Sequence, residues 1–287
     1  MNAYALRIAN IALRLESDQQ LEVTEEFVPF LKDTEEPRYR AVFHRVDMLP
    51  CIPGETVFEE HCHRVHPDGK GGFLRSFFDA PRDLTPYSLV TYDYAGGIID
   101  VPYLEKGSSC VSQMSNSFYH LGLEGIMIRE NRLCFHAACV DTPLGGILFS
   151  GPSGIGKSTQ ADLWCRYRSG RLLNGDRPIL SLEGKHVLAW GSPYAGSSKC
   201  YVNENCRVAA IVMLKQADGC SLRQLGIAEA TRRVYAGLNI HTWDRFFVTK
   251  ALDLTMGLVT RVPVYEFACT PDEDAVAFLE NALKEGM

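Results

Sequence analysis

The 287-residue chain has no CxxC pair, no run of like charge, no low-complexity tract and no internal repeat. Each absence excludes something. Ten cysteines are scattered along a chain long enough to build a core without staples, so they read as reduced thiols rather than a disulfide framework or a zinc site. No apolar run approaches the roughly 20 residues that a bilayer span needs. At the N-terminus, Arg7, Asn10, Arg14 and Glu16 interrupt the apolar residues and deny it the uncharged centre of a signal peptide. A formal net charge of −6, evenly spread, offers no basic patch to nucleic acid or an anionic membrane. The expected compartment is the cytoplasm, with neither nucleic acid nor membrane as partner.

With 46% hydrophobic and 22% charged residues, the chain suits one large domain or two moderate ones. Alternation at Ile11, Leu13 and Leu15, then YRAVFHRV and YSLVTYDYAGGIIDVPYL, predicts a β-rich region over 1–109, a candidate substrate or partner domain. HPDGKGG reads as a turn or a mobile loop. Val111, Met114, Phe118, Leu121, Gly125 and Ile128 recur at three or four residues and predict a helix over 110–129. The region 110–287 then alternates strands and helices: CFHAACVD, GGILFSG, a glycine-rich loop, KSTQADLWCRYR, RLLNGD, the hairpin PILSLEGKHVLAW, RVAAIVML, two helices, VPVYEFA and a last helix. Thr270-Pro271-Asp272-Glu273 reads as a capping box with proline at the first helical position. The class is mixed α/β.

Gly151, Gly156, Lys157 and Ser158 fill the pattern G-x-x-x-x-G-K-[ST], with Gly154 as a third glycine. Glycines permit backbone turns that let successive N–H groups point at an anion on the positive end of the next helix. Ser153, Ile155 and Thr159 complete the stretch expected to hold a nucleotide. Lys157 brings charge to the outer phosphates, and the Ser158 hydroxyl is placed to ligate Mg²⁺. The expected ligands are therefore ATP and Mg²⁺. A carboxylate must serve the metal and the nucleophile, and Asp176, nineteen residues beyond Lys157 at the end of a short strand, is the candidate. A neighbouring parallel strand would carry it to the edge of the sheet where the loop sits. The alternative is an Asp that stabilises a turn or pairs with Arg177.

His136, the P-loop pattern and Asp176 together resemble the catalytic domain of bacterial HPr kinase/phosphorylase, over about residues 133–178. The ATP-utilising phosphoenolpyruvate carboxykinases share that nucleotide-binding core. The resemblance implies a P-loop core of this type, with His136 and Asp141 on the family's His and Asp. It puts Asp176 on the acid that takes a proton from a serine hydroxyl, and it admits a homo-oligomer. Gly175 stands where the family has the first acid of a pair, and Thr159 where an acid often follows the P-loop serine. The later signature region for HPr recognition has no counterpart, so a different substrate is expected. The chain is too short for a carboxykinase.

The reading is an ATP-dependent phosphotransferase that moves the γ-phosphoryl group to a hydroxyl of a peptide, protein or small metabolite. Its expected catalytic residues are Asp176, His136, Lys157 and Arg177, with Ser158 and Asp176 on the metal. A non-catalytic ATP-binding regulator is the alternative, and a nucleotide kinase ranks below both because Arg223, Arg232 and Arg233 make only a thin lid. His136 either assists Asp176 or is a buried strand histidine. Arg177 either grips a phosphate or forms a surface ion pair, and Lys199 either reaches an anionic substrate or is a solvated loop lysine. The run His61-Cys62-His63-Arg64-Val65-His66 splits its ligand types between two strand faces, so polar strand or loop histidines are expected there rather than a metal site. Trp164, Trp190 and Trp243 are expected to pack in cores.

Overall fold

The computed structural model describes residues 1–33 and 36–286. The chain is mixed α/β and divides into two compact units. One comprises Met1–Arg129 with His241–Arg245, the other Glu130–Ile240 with Phe246–Met287. The segment 110–129 thus groups with the first unit, and the division falls at Arg129 rather than at 109. Among the described residues no helix is long and apolar enough to cross a membrane.

The first unit holds an eight-stranded sheet. Its strands are β1 (Asn2–Ile8), β2 (Ile11–Ser17), β3 (Tyr39–Arg45), β4 (Phe58–Glu60), β5 (His63–Pro67), β6 (Phe73–Phe77), β7 (Ser88–Asp93) and β8 (Ile98–Tyr103), in the spatial order β1-β2-β3-β8-β7-β6-β5-β4. Ala9 and Asn10 both take left-handed backbone, which turns β1 tightly into β2. The alternation seen in β2 is a buried face of Ile11, Leu13 and Leu15. HPDGKGG ends β5 and closes a turn in which Asp68 Oδ1 accepts the N–H groups of Lys70 and Gly72. The helix predicted over 110–129 is two helices, α1 (Met114–Leu121) and α2 (Leu123–Arg129). Gly122, left-handed at φ +61°, breaks it, and a Cβ there would lie 2.7 Å from the Arg75 guanidinium.

His63 and His66 are buried in this sheet rather than exposed in a loop. His63 stacks on Phe77, and His66 pairs with Ser76 Oγ at 2.9 Å. Trp243 packs on His241 and Phe58.

The second unit is organised around β15 (Asn205–Gln216). Before it come β9 (Arg132–Cys134), β10 (Ala137–Thr142), β11 (Gly145–Ser150), α3 (Lys157–Tyr167), β12 (Arg171–Asn174), β13 (Ile179–Glu183) and β14 (His186–Trp190). After it come β16 (Ser221–Gln224), α4 (Ile227–Ala236), α5 (Arg245–Val259), β17 (Val264–Cys269) and α6 (Glu273–Glu285). β15 pairs in parallel with β11 and β17, while its first residues pair with β14, so the sheet runs β12-β10-β11-β15 and forks. The stretch CFHAACVD is two strands, because β9 pairs with β13 while β10 pairs with β11 and β12.

Trp164 of α3 and Leu279 of α6 bury against Val140, Phe149, Val212 and Phe267 of the sheet. Trp190 donates its indole N–H to Ser181 Oγ at 2.9 Å. The last helix starts two residues later than its capping box suggests. Asp272, not Thr270, is the N-cap, accepting the Ala275 N–H at 2.9 Å, and Pro271 precedes the cap.

Candidate functional site

The glycine-rich loop joins β11 to α3. Gly151, Gly154 and Gly156 have φ of +146°, +77° and +111°, a backbone that residues with a Cβ rarely adopt. A Cβ on Gly151 would also press to 3.1 Å from Ile155, whose side chain fills the base of the loop. Gly156 caps α3 without a side chain, which leaves the first amides of the helix for an external acceptor. Lys157 is buried and curls back, donating from Nζ to the carbonyls of Gly151 at 3.1 Å and Pro152 at 3.2 Å. Ser153, Ser158 and Thr159 are exposed at the loop.

Asp176 follows β12, which runs parallel to β11 with the antiparallel β10 inserted between them. The two strands are not neighbours, but their C-terminal ends still meet at one edge, and β10 begins there. His136 therefore sits between the loop and Asp176. Ser150 Oγ donates to the His136 carbonyl at 2.8 Å, and the Ala137 N–H donates to the Asp176 carbonyl at 3.0 Å. Two side chains approach the Asp176 carboxylate without a direct hydrogen bond: His136 Nε2 at 3.8 Å and Arg177 Nε at 3.7 Å.

Electrostatics tie this edge together. Burial chiefly lowers the His136 pKa, the Lys157 and Arg177 charges lower it further, and Asp176 opposes them. The imidazole is accordingly neutral near pH 7. Lys157 is also held below its ordinary value by burial, against the pull of Asp176.

The turn at Asp176 hangs on a residue outside the expected site. Asn174 is fully buried, and its Oδ1 accepts the N–H groups of Asp176 at 3.0 Å and Arg177 at 2.7 Å. Its Nδ2 donates to the Ser192 carbonyl and hydroxyl, and Ser192 Oγ in turn donates to the Arg177 carbonyl at 2.7 Å. The Asn-Gly pair was the available signal, since Asn side chains bond their own backbone two residues on.

Gly175 is a glycine for want of room: a Cβ would lie 2.2 Å from Ser198 Oγ and 3.0 Å from the Ala195 carbonyl. Gly196, left-handed, abuts Asp176 in the same way. Asp141 lies away from this edge, opposite Gly146 at the start of β11, and pairs with Arg171 at 3.4 Å. Lys199 is exposed, at the end of the turn Gly196–Ser198.

Beside the loop opens a cavity of about 490 Å³. It is lined by Ser150 to Ser153, His136 and Arg177, by Met213 and Leu214 near the end of β15, and by the C-terminal end of α4 with Leu238 and Asn239. Of the expected site residues, Gly151, Ser153, His136 and Arg177 line it. Cys134, Arg233 and Asn239 line it too, and only the fold brings them there.

No family model matches this chain, and no curated protein does. Among solved structures, the chain is similar to the HPr(Ser) kinase/phosphatase from Coxiella burnetii, at 14% identity and a TM-score of 0.32, over 53% of this chain and 95% of that one.

Proposed function

We propose that the chain is an ATP-dependent phosphotransferase with a P-loop nucleotide site of the HPr kinase type, acting on a hydroxyl group. The observation that carries this reading is the shared sheet edge, where a glycine loop with an inturned lysine faces the Asp176 carboxylate across His136.

The residues suit the ligands. The positive-φ glycines and the uncapped start of α3 offer backbone donors to a triphosphate, and Lys157 can exchange its bonds to Gly151 and Pro152 for phosphate oxygens. Ser158 and Asp176 would hold Mg²⁺. A hydroxyl and one carboxylate are oxygen donors, which suit an ion that takes most of its ligands from phosphates and water. When bound, Mg²⁺ would neutralise charge on the outer phosphates.

Asp176 would then orient the acceptor hydroxyl and receive its proton. His136, neutral and 3.8 Å away, would hold the carboxylate toward the loop or relay that proton. Arg177 would steady charge on the transferred group through its fork of donors. Most of the rate enhancement would come from positioning and charge stabilisation, with general-base help of about 10²–10⁴-fold.

The test is incubation with Mg²⁺ and γ-labelled ATP in a fractionated cell extract, with Lys157→Ala as control. Label transferred to any fraction by the wild-type protein alone supports the reading. ATP binding without transfer to any fraction would make the chain a nucleotide-binding regulator instead.

A further inference from the structure

We infer, resting on the phosphotransfer reading, that the 490 Å³ cavity beside the glycine loop is the acceptor site and takes a small hydroxyl-bearing anion, a carboxylate or phosphate ester of metabolite size. Its volume lies within the roughly 300–1,000 Å³ of small-molecule sites. A folded protein acceptor needs instead a docking surface of about 800 Å² per partner.

The charge of the lining sets the ligand class. Two arginines, Arg177 and Arg233, line the cavity and no Asp or Glu does, while the neutral His136 adds a polar imidazole rather than a charge. Both arginines start from fixed points. Arg233 is anchored through Nη2 to Glu229 at 2.8 Å and Glu266 at 2.6 Å. Arg177 is tethered by its backbone, whose N–H donates to Asn174 Oδ1 and to the Tyr194 carbonyl. The Arg233 guanidinium, already held in place, loses less freedom on gripping a planar or tetrahedral anion. Asn239 adds an amide to the lining, and Met213 with Leu214 gives an apolar part that suits a carbon skeleton.

The cavity also touches the reacting edge, since Gly151 to Ser153, His136 and Arg177 belong to both. In the transfer, the acceptor oxygen forms a bond to the γ-phosphorus of ATP and the bond from that phosphorus to the β–γ bridging oxygen breaks. ADP leaves, and the hydroxyl proton passes by way of the lining His136, 3.8 Å from the carboxylate, to Asp176, which is not itself in the lining.

Three probes with one carbon skeleton test the class: glycerol, glycerate and glycerol 3-phosphate. Cys134 lines the cavity and is half-buried, so its alkylation by iodoacetamide, followed by peptide mass mapping, reports occupancy without any turnover. Thermal shift on the same samples gives a second readout. ADP release with Mg²⁺-ATP is measured in parallel, with a serine peptide as a further acceptor.

The expected result is that glycerate or glycerol 3-phosphate slows Cys134 alkylation at least threefold and raises the melting temperature, whereas glycerol does neither. Arg177→Gln should abolish the protection and Lys157→Ala keep it, which separates this site from the glycine loop. The protecting anion should also exceed glycerol at least tenfold in kcat/KM. Protection without ADP release would show an anion site but overturn its role as the acceptor site, and leave phosphotransfer to the extract assay. Turnover of glycerol or the peptide as good as that of the anions, or no protection by either anion, would overturn the inference and leave phosphotransfer to be judged by its own test.

Discussion

Asn174 Oδ1 accepts the backbone N–H of Arg177 at 2.7 Å while its Nδ2 reaches Ser192, so one buried amide clamps the turn that carries the Asp176 carboxylate. Asn174→Ala removes the acceptor for two amides at once. Leaving buried polar groups unsatisfied costs about 1–3 kcal/mol each, so the variant is expected to lose roughly 2–3 kcal/mol in urea unfolding. Its phosphotransfer rate should fall at least tenfold, because the carboxylate is no longer aimed.

Gly175 stands where the family resemblance puts the first acid of a pair, and the space for a side chain is taken by Ser198 and Ala195. Gly175→Asp is therefore expected to destabilise the chain and lower turnover rather than restore a missing ligand. Ser198→Gly in the same chain frees part of that space and should return some of the stability, which thermal unfolding of the single and double variants measures.

Under the proposed function, Lys157 would give up its two carbonyl partners to meet a phosphate. A hydrogen bond to a charged group contributes about 1.5–3 kcal/mol, so Lys157→Ala should weaken ATP binding by roughly 10- to 100-fold. Isothermal titration calorimetry reads this directly. An unchanged affinity would place the nucleotide elsewhere.

Four histidines of the first unit, His63, His66, His120 and His241, make its stability depend on pH. Burial is the main cause in each, lowering His63 to about 3, His120 and His241 to about 4, and His66 below its ordinary value. The unfolded chain takes up these protons below about pH 6.5, whereas the folded chain resists to lower pH, to about 3–4 at His63, His120 and His241. Stability is therefore highest above pH 6.5 and falls as the pH drops, by up to about 1.4 kcal/mol per pH unit for each group. Neither ring nitrogen of His63 has a hydrogen-bond partner among the described residues. His63→Phe should thus remove one share of the slope between pH 6.5 and 4 in urea titrations, with little loss at pH 7.5.

Local patterns made part of this molecule legible. Period-two alternation located β2, and a strand, glycines and a Lys-Ser pair located the loop before α3. What the sequence hid is long-range. Nothing in CFHAACVD shows that Phe135 and His136 mark a change of pairing partner, or that β10 would intervene between β11 and β12. Gly122 sat within a sound helical period, but its left-handed backbone beside Arg75 splits the helix. Arg233 and Asn239 reach the cavity only because α4 ends beside β11, although about 80 residues of chain separate them from the loop.

The most direct measurement is a paired one on Asp176→Asn: ATP affinity by calorimetry and phosphoryl transfer by ADP release. The substitution keeps the size of the side chain and removes its ability to take a proton. The expected outcome is ATP binding within a few-fold of wild type and turnover lowered by about 10²–10⁴-fold. Full turnover in the variant would contradict the account.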